Sequence, residues 1–563
     1  MGLSAAAPWL RHYGNTPETL SYPSASMYQL VRRTAEQYPN KTAYVFMGKR
    51  TGYAQFLERI ENTAKGLYAI GIRKADRVTI CMPNMPQAVD CFYALNRIGA
   101  VPNMIHPLSA SPEIAFYLNA SGSKAILTLD QFYDKVVEAD PKCKIILARI
   151  EEELPVPLRL VYPLTQKRKK RPKDCIFWKD MLSRGEKVVL PEETGTADDC
   201  AAILYSGGTT GKTKGILLSN RNFNALGLQT IAASGFSSVA GMKMLSIMPM
   251  FHGFGLGIGI HTALIGGATC ILVPRFSVKI YADILKKQNP ELIPGVPTLF
   301  EALLRAEQLQ NQDLSFLKGI FAGGDCLSPE LKKRVDRFLA DHGCTEQIRE
   351  GYGTTECVTA SCLTPRHTMK EGSIGVPFPD MYYKIVKTGT TEECEPGEEG
   401  EICISGPTVM LGYMDEPEET KKVLQTHEDG RLWLHTGDLG FMDEDGFVYF
   451  RQRLKRLIVT SGYNVYPSVL ENILDGHEKV QLSCVIGVAD AYRGQRVRAY
   501  IVPKPGIQPT EELKRELLEF CAGQVAKYAA PRELEFRAEL PKTPVGKVAY
   551  RALELEAEKE NTL

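Results

Sequence analysis

Two periodicities divide the chain. Over the first 150 residues, short apolar runs alternate with stretches whose apolar side chains recur every three to four positions. Ser26 and Gln29 form a capping-box pattern, which predicts a helix ending near Pro39. RVTICM (77–82) predicts a buried strand. Residues 87–97 predict a helix, with Val89, Phe92, Tyr93 and Asn96 at helical spacing and Gly99 as its stop. KAILTL (124–129) and KIILA (144–148) predict two more strands. This alternation argues for α/β layers. After about residue 450 the pattern changes. SCVIGVA (483–489) and VRAYIVP (497–503) predict strands, a helix is expected from Thr510, and a further strand near ELEFRAEL (533–540). The expected fold is therefore a large N-terminal α/β domain of layered sheets and helices, with a smaller α+β C-terminal domain.

At 563 residues the chain exceeds what one core serves, so at least two domains are expected. The formal net charge is +1, which gives no field that would select nucleic acid. Fourteen cysteines are scattered, with no C-x-x-C pair and no clustered Cys/His set; Cys357 and Cys362 fit no common zinc spacing. Reduced thiols in a cytoplasmic protein are expected. The start, MGLSAAAPWLRHYG, lacks a basic segment and a long apolar one, and Ala6 stands where myristoylation wants Ser or Thr. No run of 18 apolar residues predicts a membrane span. Lys167-Arg168-Lys169-Lys170-Arg171 reads as a solvated loop, as a contact for anionic lipid headgroups on the inner face of a membrane, or as a weak nuclear-localisation pattern.

The candidate chemistry begins at YSGGTTGKTKG (205–215). A P-loop needs a glycine at position 206, where Ser206 stands, and a helix after its Lys-Thr pair. Here Lys214-Gly215 and the strand-like Ile216-Leu217-Leu218 follow instead. The segment predicts strand, flexible loop, strand. Its small residues offer backbone N–H and hydroxyl donors to phosphate oxygens, and Lys214 adds a point charge. A plain hairpin turn is the alternative, but the turn does not require so many small polar residues beside two lysines.

Four more motifs follow in order: PMFHG (249–253), GYGTTE (351–356), LHTGD (434–438) and PKTPVGK (541–547). With the loop, they resemble the adenylate-forming superfamily of acyl-CoA synthetases, luciferases and peptide-synthetase adenylation domains. The resemblance runs over the whole chain. Trp9, Leu10 and Tyr13, the glycines at 207 and 208, GPTVMLGY (406–413) and SGYNVYP (461–467) are most similar to bacterial long-chain fatty-acyl-CoA synthetases.

That resemblance implies an ATP-dependent ligase for a medium- to long-chain fatty acid, which forms an acyl-AMP and passes the acyl group to CoA with Mg2+ as cofactor. Its same-fold alternatives are a CoA ligase for an aryl or bile acid and a fatty-acyl-AMP ligase loading a carrier protein. It implies an N-terminal adenylation domain at 1–452, a hinge at 453–455 centred on Lys455, and a mobile C-terminal domain at 456–563. Lys547, His252 and Glu356 are the implied catalytic residues, with Glu356 and Thr210 at the metal. Ser206, Gly207, Gly208, Thr209, Thr210, Gly211, Lys214, Gly323, Gly324, Tyr352, Gly353, Thr355, Asp438 and Arg453 are the implied nucleotide contacts. Ser461, Gly462, Tyr463 and Asn464 form the implied CoA-facing segment. A homodimer is a further expectation. The cationic residues answer a physical need, since triphosphate and carboxylate repel one another.

In GFGLGIGIHTALIGG (253–267), a helix would place Gly255 and Gly259 on one face, either as an acyl groove or as a close helix contact. Some positions depart from the resembled pattern. Thr213 replaces Pro or Ala, Asn220 a frequent His, Gln452 a Gly or Asp, and Arg456 a usually acidic residue. Thr354, where Leu is common, is expected to bear on chain length.

Overall fold

The computed structural model describes residues 2–165, 174–205, 213–490, 492–542 and 548–560. The N-terminal pattern resolves into two large sheets. In one, Arg77–Cys81, Val101–Met104, Ala125–Leu129, Lys144–Ala148 and Ile176–Phe177 run parallel, with helices Pro86–Arg97, Ser111–Ser121 and Tyr133–Glu138 among their connections. In the other, Thr42–Phe46, Thr269–Leu272, Lys243–Ser246, Leu292–Gly295, Gly319–Ala322 and Ile348–Tyr352 are parallel neighbours. Their near-continuous burial explains the unbroken apolar runs, because helices cover both faces of such sheets. The capping box at Ser26 and Gln29 opens helix Met27–Gln37, and Gly99 takes φ +69° just beyond helix Pro86–Arg97.

A third, antiparallel sheet holds Tyr382–Val386, Gly400–Ser405, Leu424–Thr426, Leu432–Met442 and Val448–Arg453. A fourth is built wholly after residue 457, from Ile458–Thr460, Tyr463–Val465, Val480–Asp490, Gly494–Pro503 and Glu533–Phe536. It packs helices Pro467–Asp475, Glu511–Ala522 and Tyr550–Glu560. The strand expected over 533–540 ends at Phe536. Its parallel partner ends at Pro503, which has no N–H for the ladder.

In the glycine-rich segment the structure decides between the two alternatives that the sequence leaves open. Phe254–Thr262 is a π-helix, and its Gly255 and Gly257 are contact points rather than a groove. A Cβ on Gly255 would lie 2.1 Å from the Pro249 oxygen, and one on Gly257 2.6 Å from Leu226 Cδ2. The glycine side takes close backbone approach, which leaves the larger residues Phe254, Ile258 and Thr262 to bound the open space on the other side. Buried His261 fixes this helix: its Nε2 lies 3.0 Å from Asn224 Oδ1 and its Nδ1 3.0 Å from the Tyr93 hydroxyl. Burial lowers the His261 pKa to about 3, so the ring is neutral, donating to Asn224 and accepting from Tyr93.

A Cβ on Gly253 would fall 1.7 Å from the Val358 carbonyl oxygen, whereas at Gly259 the nearest atoms lie 3.9 Å away. Gly253→Ala is therefore expected to cost about 2–3 kcal/mol in urea unfolding, while Gly259→Ala stays within about 1 kcal/mol. Equal effects would show that the Gly253 contact carries no special weight.

Candidate active site

Strand Cys200–Tyr205 and strand Gly215–Ser219 pair antiparallel, with Tyr205 opposite Gly215 and Leu204 opposite Ile216. Paired strands thus flank the segment between Tyr205 and Gly215, and no helix starts at Lys214. The loop residues Ser206, Gly207, Gly208, Thr209, Thr210 and Gly211 lie outside the described residues, as does Lys547.

Asp438 lies in strand Leu432–Met442 opposite Arg453 of strand Val448–Arg453. Its side chain is only 4% exposed. Arg453 Nε stands 3.4 Å from Oδ1, and the Tyr352 hydroxyl donates to Oδ2 at 2.7 Å. The Asp438 charge holds the Arg453 guanidinium all the more firmly protonated, and burial, reinforced by Asp438, pushes the Tyr352 phenol far above its usual pKa. Tyr352 ends strand Ile348–Tyr352, beside the strand Gly319–Ala322 that leads into Gly323 and Gly324. At Gly323 a Cβ would meet the Gly351 oxygen at 3.1 Å, and Gly324 takes φ +79°.

Glu356 sits in the turn Thr355–Cys357, closed by Val358 at φ +67°. Its Oε1 accepts from the Tyr413 hydroxyl at 2.9 Å. Gly353 packs so tightly that a Cβ would lie 2.0 Å from the Thr359 oxygen. Lys214 is not a free cation: its Nζ lies 2.5 Å from Glu419 Oε2 and 4.7 Å from the centre of the Tyr413 ring. Tyr413 thus joins Lys214 to Glu356. Sequence reasoning flagged the segment around Tyr413 without assigning the tyrosine a role, and it missed Glu419. Lys455, in the turn Leu454–Arg456, has its pKa lowered by burial and then by the nearby Lys214 charge. His252 precedes the π-helix, where the Phe254 N–H reaches its Nδ1 at 3.5 Å.

An apolar space lies beside this cluster. Gly323, Gly324 and Gly351 line it at the Tyr352 end, while Ile231, Val239 and Ala268 line other parts of its wall. Thr354 is not in its lining; its backbone N–H points to Cys357 Sγ. Ser461, Gly462, Tyr463 and Asn464 are not gathered with the other residues. They form an exposed hairpin, with Ser461 at φ +51°, Gly462 at φ +82° and Tyr463 stacked on Tyr528. Tyr550, by contrast, lies near Arg453 and beneath the Arg456 guanidinium, 4.6 Å from its ring centre. Arg456, the residue that replaces an acidic one, pairs with Glu471 at 2.5 Å.

Among the described residues, Glu356 is the carboxylate in the cleft suited to a divalent cation, and both Asp438 oxygens face donors, which suits a ligand presenting hydroxyls. The model of the AMP-binding enzyme family matches residues 31–414, and that of the AMP-binding enzyme C-terminal domain matches 469–547. The long-chain-fatty-acid–CoA ligase of Bacillus subtilis (strain 168) is 35% identical, with 99% of each chain covered. The protein of the same name from Salmonella typhimurium is 33% identical over 94% of each chain. Among solved structures, an anthranilate CoA ligase with bound anthranoyl-AMP superposes with a TM-score of 0.83 at 22% identity, covering 97% of this chain and 99% of that one. ATP-bound MatB from Rhodopseudomonas palustris gives 0.80 at 24% identity, covering 94% and 99%. These two show the fold.

One carboxyl at the site is shifted strongly. Burial raises Glu350, next to Gly351, to a pKa of about 7; Lys332 opposes the shift and Asp336 adds to it. A folded pKa above the unfolded one means that the native state holds the extra proton between about pH 4.5 and 7. Stability from this group is full below that window and is lost as pH rises through it. Glu350→Gln is expected to stabilise the protein by on the order of 2 kcal/mol at pH 8 and by progressively less toward pH 5, in urea titrations. A pH-independent difference would contradict the assignment.

Proposed function

Because this chain belongs to the AMP-binding enzyme family, we propose that it is an AMP-forming ligase that activates a medium- to long-chain fatty acid and passes the acyl group to CoA. The observation that carries the acyl preference is the apolar space that begins at Gly323, Gly324 and Gly351, beside the Tyr352–Asp438–Arg453 cluster. Each methylene buried there contributes about 0.8 kcal/mol, roughly fourfold in affinity. Its relatives named long-chain-fatty-acid–CoA ligases support the same reading.

In the first half-reaction the fatty carboxylate attacks the α-phosphorus of ATP, the bond to the β-phosphate oxygen breaks, and pyrophosphate leaves. Asp438 accepts hydrogen bonds from the ribose hydroxyls while Arg453 balances its charge. Tyr352, Gly323, Gly324 and Gly353 let the adenine lie against ring and backbone, and Thr355 reaches the phosphates. Lys214 exchanges Glu419 for phosphate oxygens alongside the loop 206–211. Lys547 reaches both the carboxylate and the α-phosphate, and His252 stands beside the acyl carboxylate. Glu356 and Thr210 would hold Mg2+, which would supply positive charge to offset that of the phosphates. In the second half-reaction the CoA thiol attacks the acyl carbonyl, its proton is lost, and AMP leaves. The domain from residue 456 onward turns about Lys455, so that the exposed hairpin at 461–464 replaces Lys547 at the nucleotide.

The test is pyrophosphate release and thioester formation across a panel of aliphatic and aromatic acids. Activity is expected to climb with chain length beyond eight carbons and to yield CoA thioester; no activity above eight carbons would reject the long-chain reading. In the same assay Lys547→Ala is expected to abolish adenylate formation and to spare thiolation of preformed acyl-AMP. Equal loss of both halves would refute its role.

We also propose peripheral contact with anionic membranes through the basic run at 167–171. Its support is the helix Val156–Thr165 just before it in sequence, which exposes Val156, Leu158, Leu160 and Val161 to solvent. No helix among the described residues is long and apolar enough to cross a membrane. Replacing the five bases by Gln should weaken sedimentation with anionic liposomes. Unchanged binding would dispose of the contact.

A further inference from the structure

The strands Gly400–Ser405 and Leu432–Met442 pair with a fault. Glu401 faces Leu439 and Cys403 faces His435, so one residue on the first strand is set against three, 436–438, on the second. These three bulge, with Gly437 at φ +70°, and the bulge re-aims Asp438 toward Tyr352 and Arg453. A bulge leaves ladder groups unpaired, and here side chains take them. The Thr436 hydroxyl donates to the Ile402 carbonyl at 2.7 Å and accepts from Asp438 N–H at 3.1 Å. Glu401 Oε1 accepts from Gly437 N–H at 2.9 Å.

The other oxygen of Glu401 runs away from the site into a buried chain. Oε2 lies 2.9 Å from His435 Nδ1, and His435 Nε2 lies 3.0 Å from His427 Nε2. All three residues are buried. His427 Nδ1 has no hydrogen-bond partner. Burial, then the Lys384 charge, lowers the His427 pKa to about 4, so that ring is neutral at pH 7. The proton positions follow. His435 Nδ1–H donates to Glu401, and His427 Nε2–H donates to His435 Nε2. The partnerless Nδ1 is then a bare acceptor, whereas the opposite order would bury an orphan N–H donor. Glu401 is thereby held by donors on both oxygens, as a buried carboxylate requires.

We propose that Glu401 is a positioning residue, braced by His435 and His427, that holds the 436–438 bulge and so presets the Asp438 carboxylate for the ribose of ATP. The proposal rests on the ribose role of Asp438 given above. Cys403 Sγ lies 3.5 Å from His435 Nδ1, and Cys403, His427 and His435 stand close enough together to hold a metal ion. The hydrogen-bond chain accounts for both histidines without one, and the nearby Lys384 charge opposes a cation there.

The test uses the full-length enzyme, with each substrate varied in turn while the others are saturating. Glu401→Ala is expected to raise KM for ATP about 10- to 100-fold, with KM for hexadecanoate and kcat within about threefold. Glu401→Gln, which keeps an acceptor for Gly437, should recover much of that loss. In an Asp438→Asn background, Glu401→Ala should add less than about twofold, since the positioned group is already gone. A fall in kcat alone, in step with lost thermal stability, would reduce Glu401 to a structural part and overturn the proposal, as would full multiplicative effects in the double variant. If Asp438→Asn raises KM and Glu401→Ala does not, the brace fails and the ribose role stands; if both are silent, the ribose role fails first. Stoichiometric metal in the purified protein, lost in Cys403→Ser, would also overturn the hydrogen-bond chain.

Discussion

The site depends on one approach of main chain to main chain. Gly253 lies against the Val358 carbonyl so closely that any side chain would collide with it. Across that contact meet the start of the π-helix, with His252 just before it, and the turn that carries Glu356. Val358 is itself held at φ +67°, an arrangement that costs free energy in a β-branched residue and persists only when its surroundings enforce it. The π-helix then runs along the apolar space, while the Glu356 turn continues from the strand bearing Tyr352. Separating these two turns would part the apolar space from the Glu356 turn.

The second constraint is charge. Asp438 and Glu356 are carboxylates in a partly dry cleft, where an unpaired charge is expensive. Each is met by a phenol, Tyr352 for the first and Tyr413 for the second, and Arg453 adds a full charge beside Asp438. A neutral donor can be displaced by a ligand hydroxyl or outweighed by a cation at modest cost. Lys214 is likewise paired with Glu419. In each case a carboxylate is offset by a neighbouring donor or cation.

Much of this was legible locally. The capping box at Ser26, the stop at Gly99 and the strand after Gly215 are decided by neighbours within a few residues, and they stand where the pattern put them. For the glycines at 255 and 259 the choice between groove and contact stayed open, because spacing says which residues share a face, not what that face meets. Only the backbone of 248–249 decides that Gly255 is a contact point. The buried Cys/His group escaped for a similar reason. Cys403 and His435 are 32 positions apart and meet across two antiparallel strands, whose bulge no linear spacing records.

By itself, then, the sequence determined the layered α/β class, the separate C-terminal module, the paired strands on either side of 206–214 and the ordered motifs that mark the family. Each depends on short-range propensity or on residue identity alone. The tertiary structure decided that the apolar space lies along Phe254, Ile258 and Thr262, that Tyr413 joins Lys214 to Glu356, and that Glu401 reaches the turn beneath Asp438. Those are contacts between segments distant in sequence, and their existence rests on packing and strand register, which no local window of residues contains.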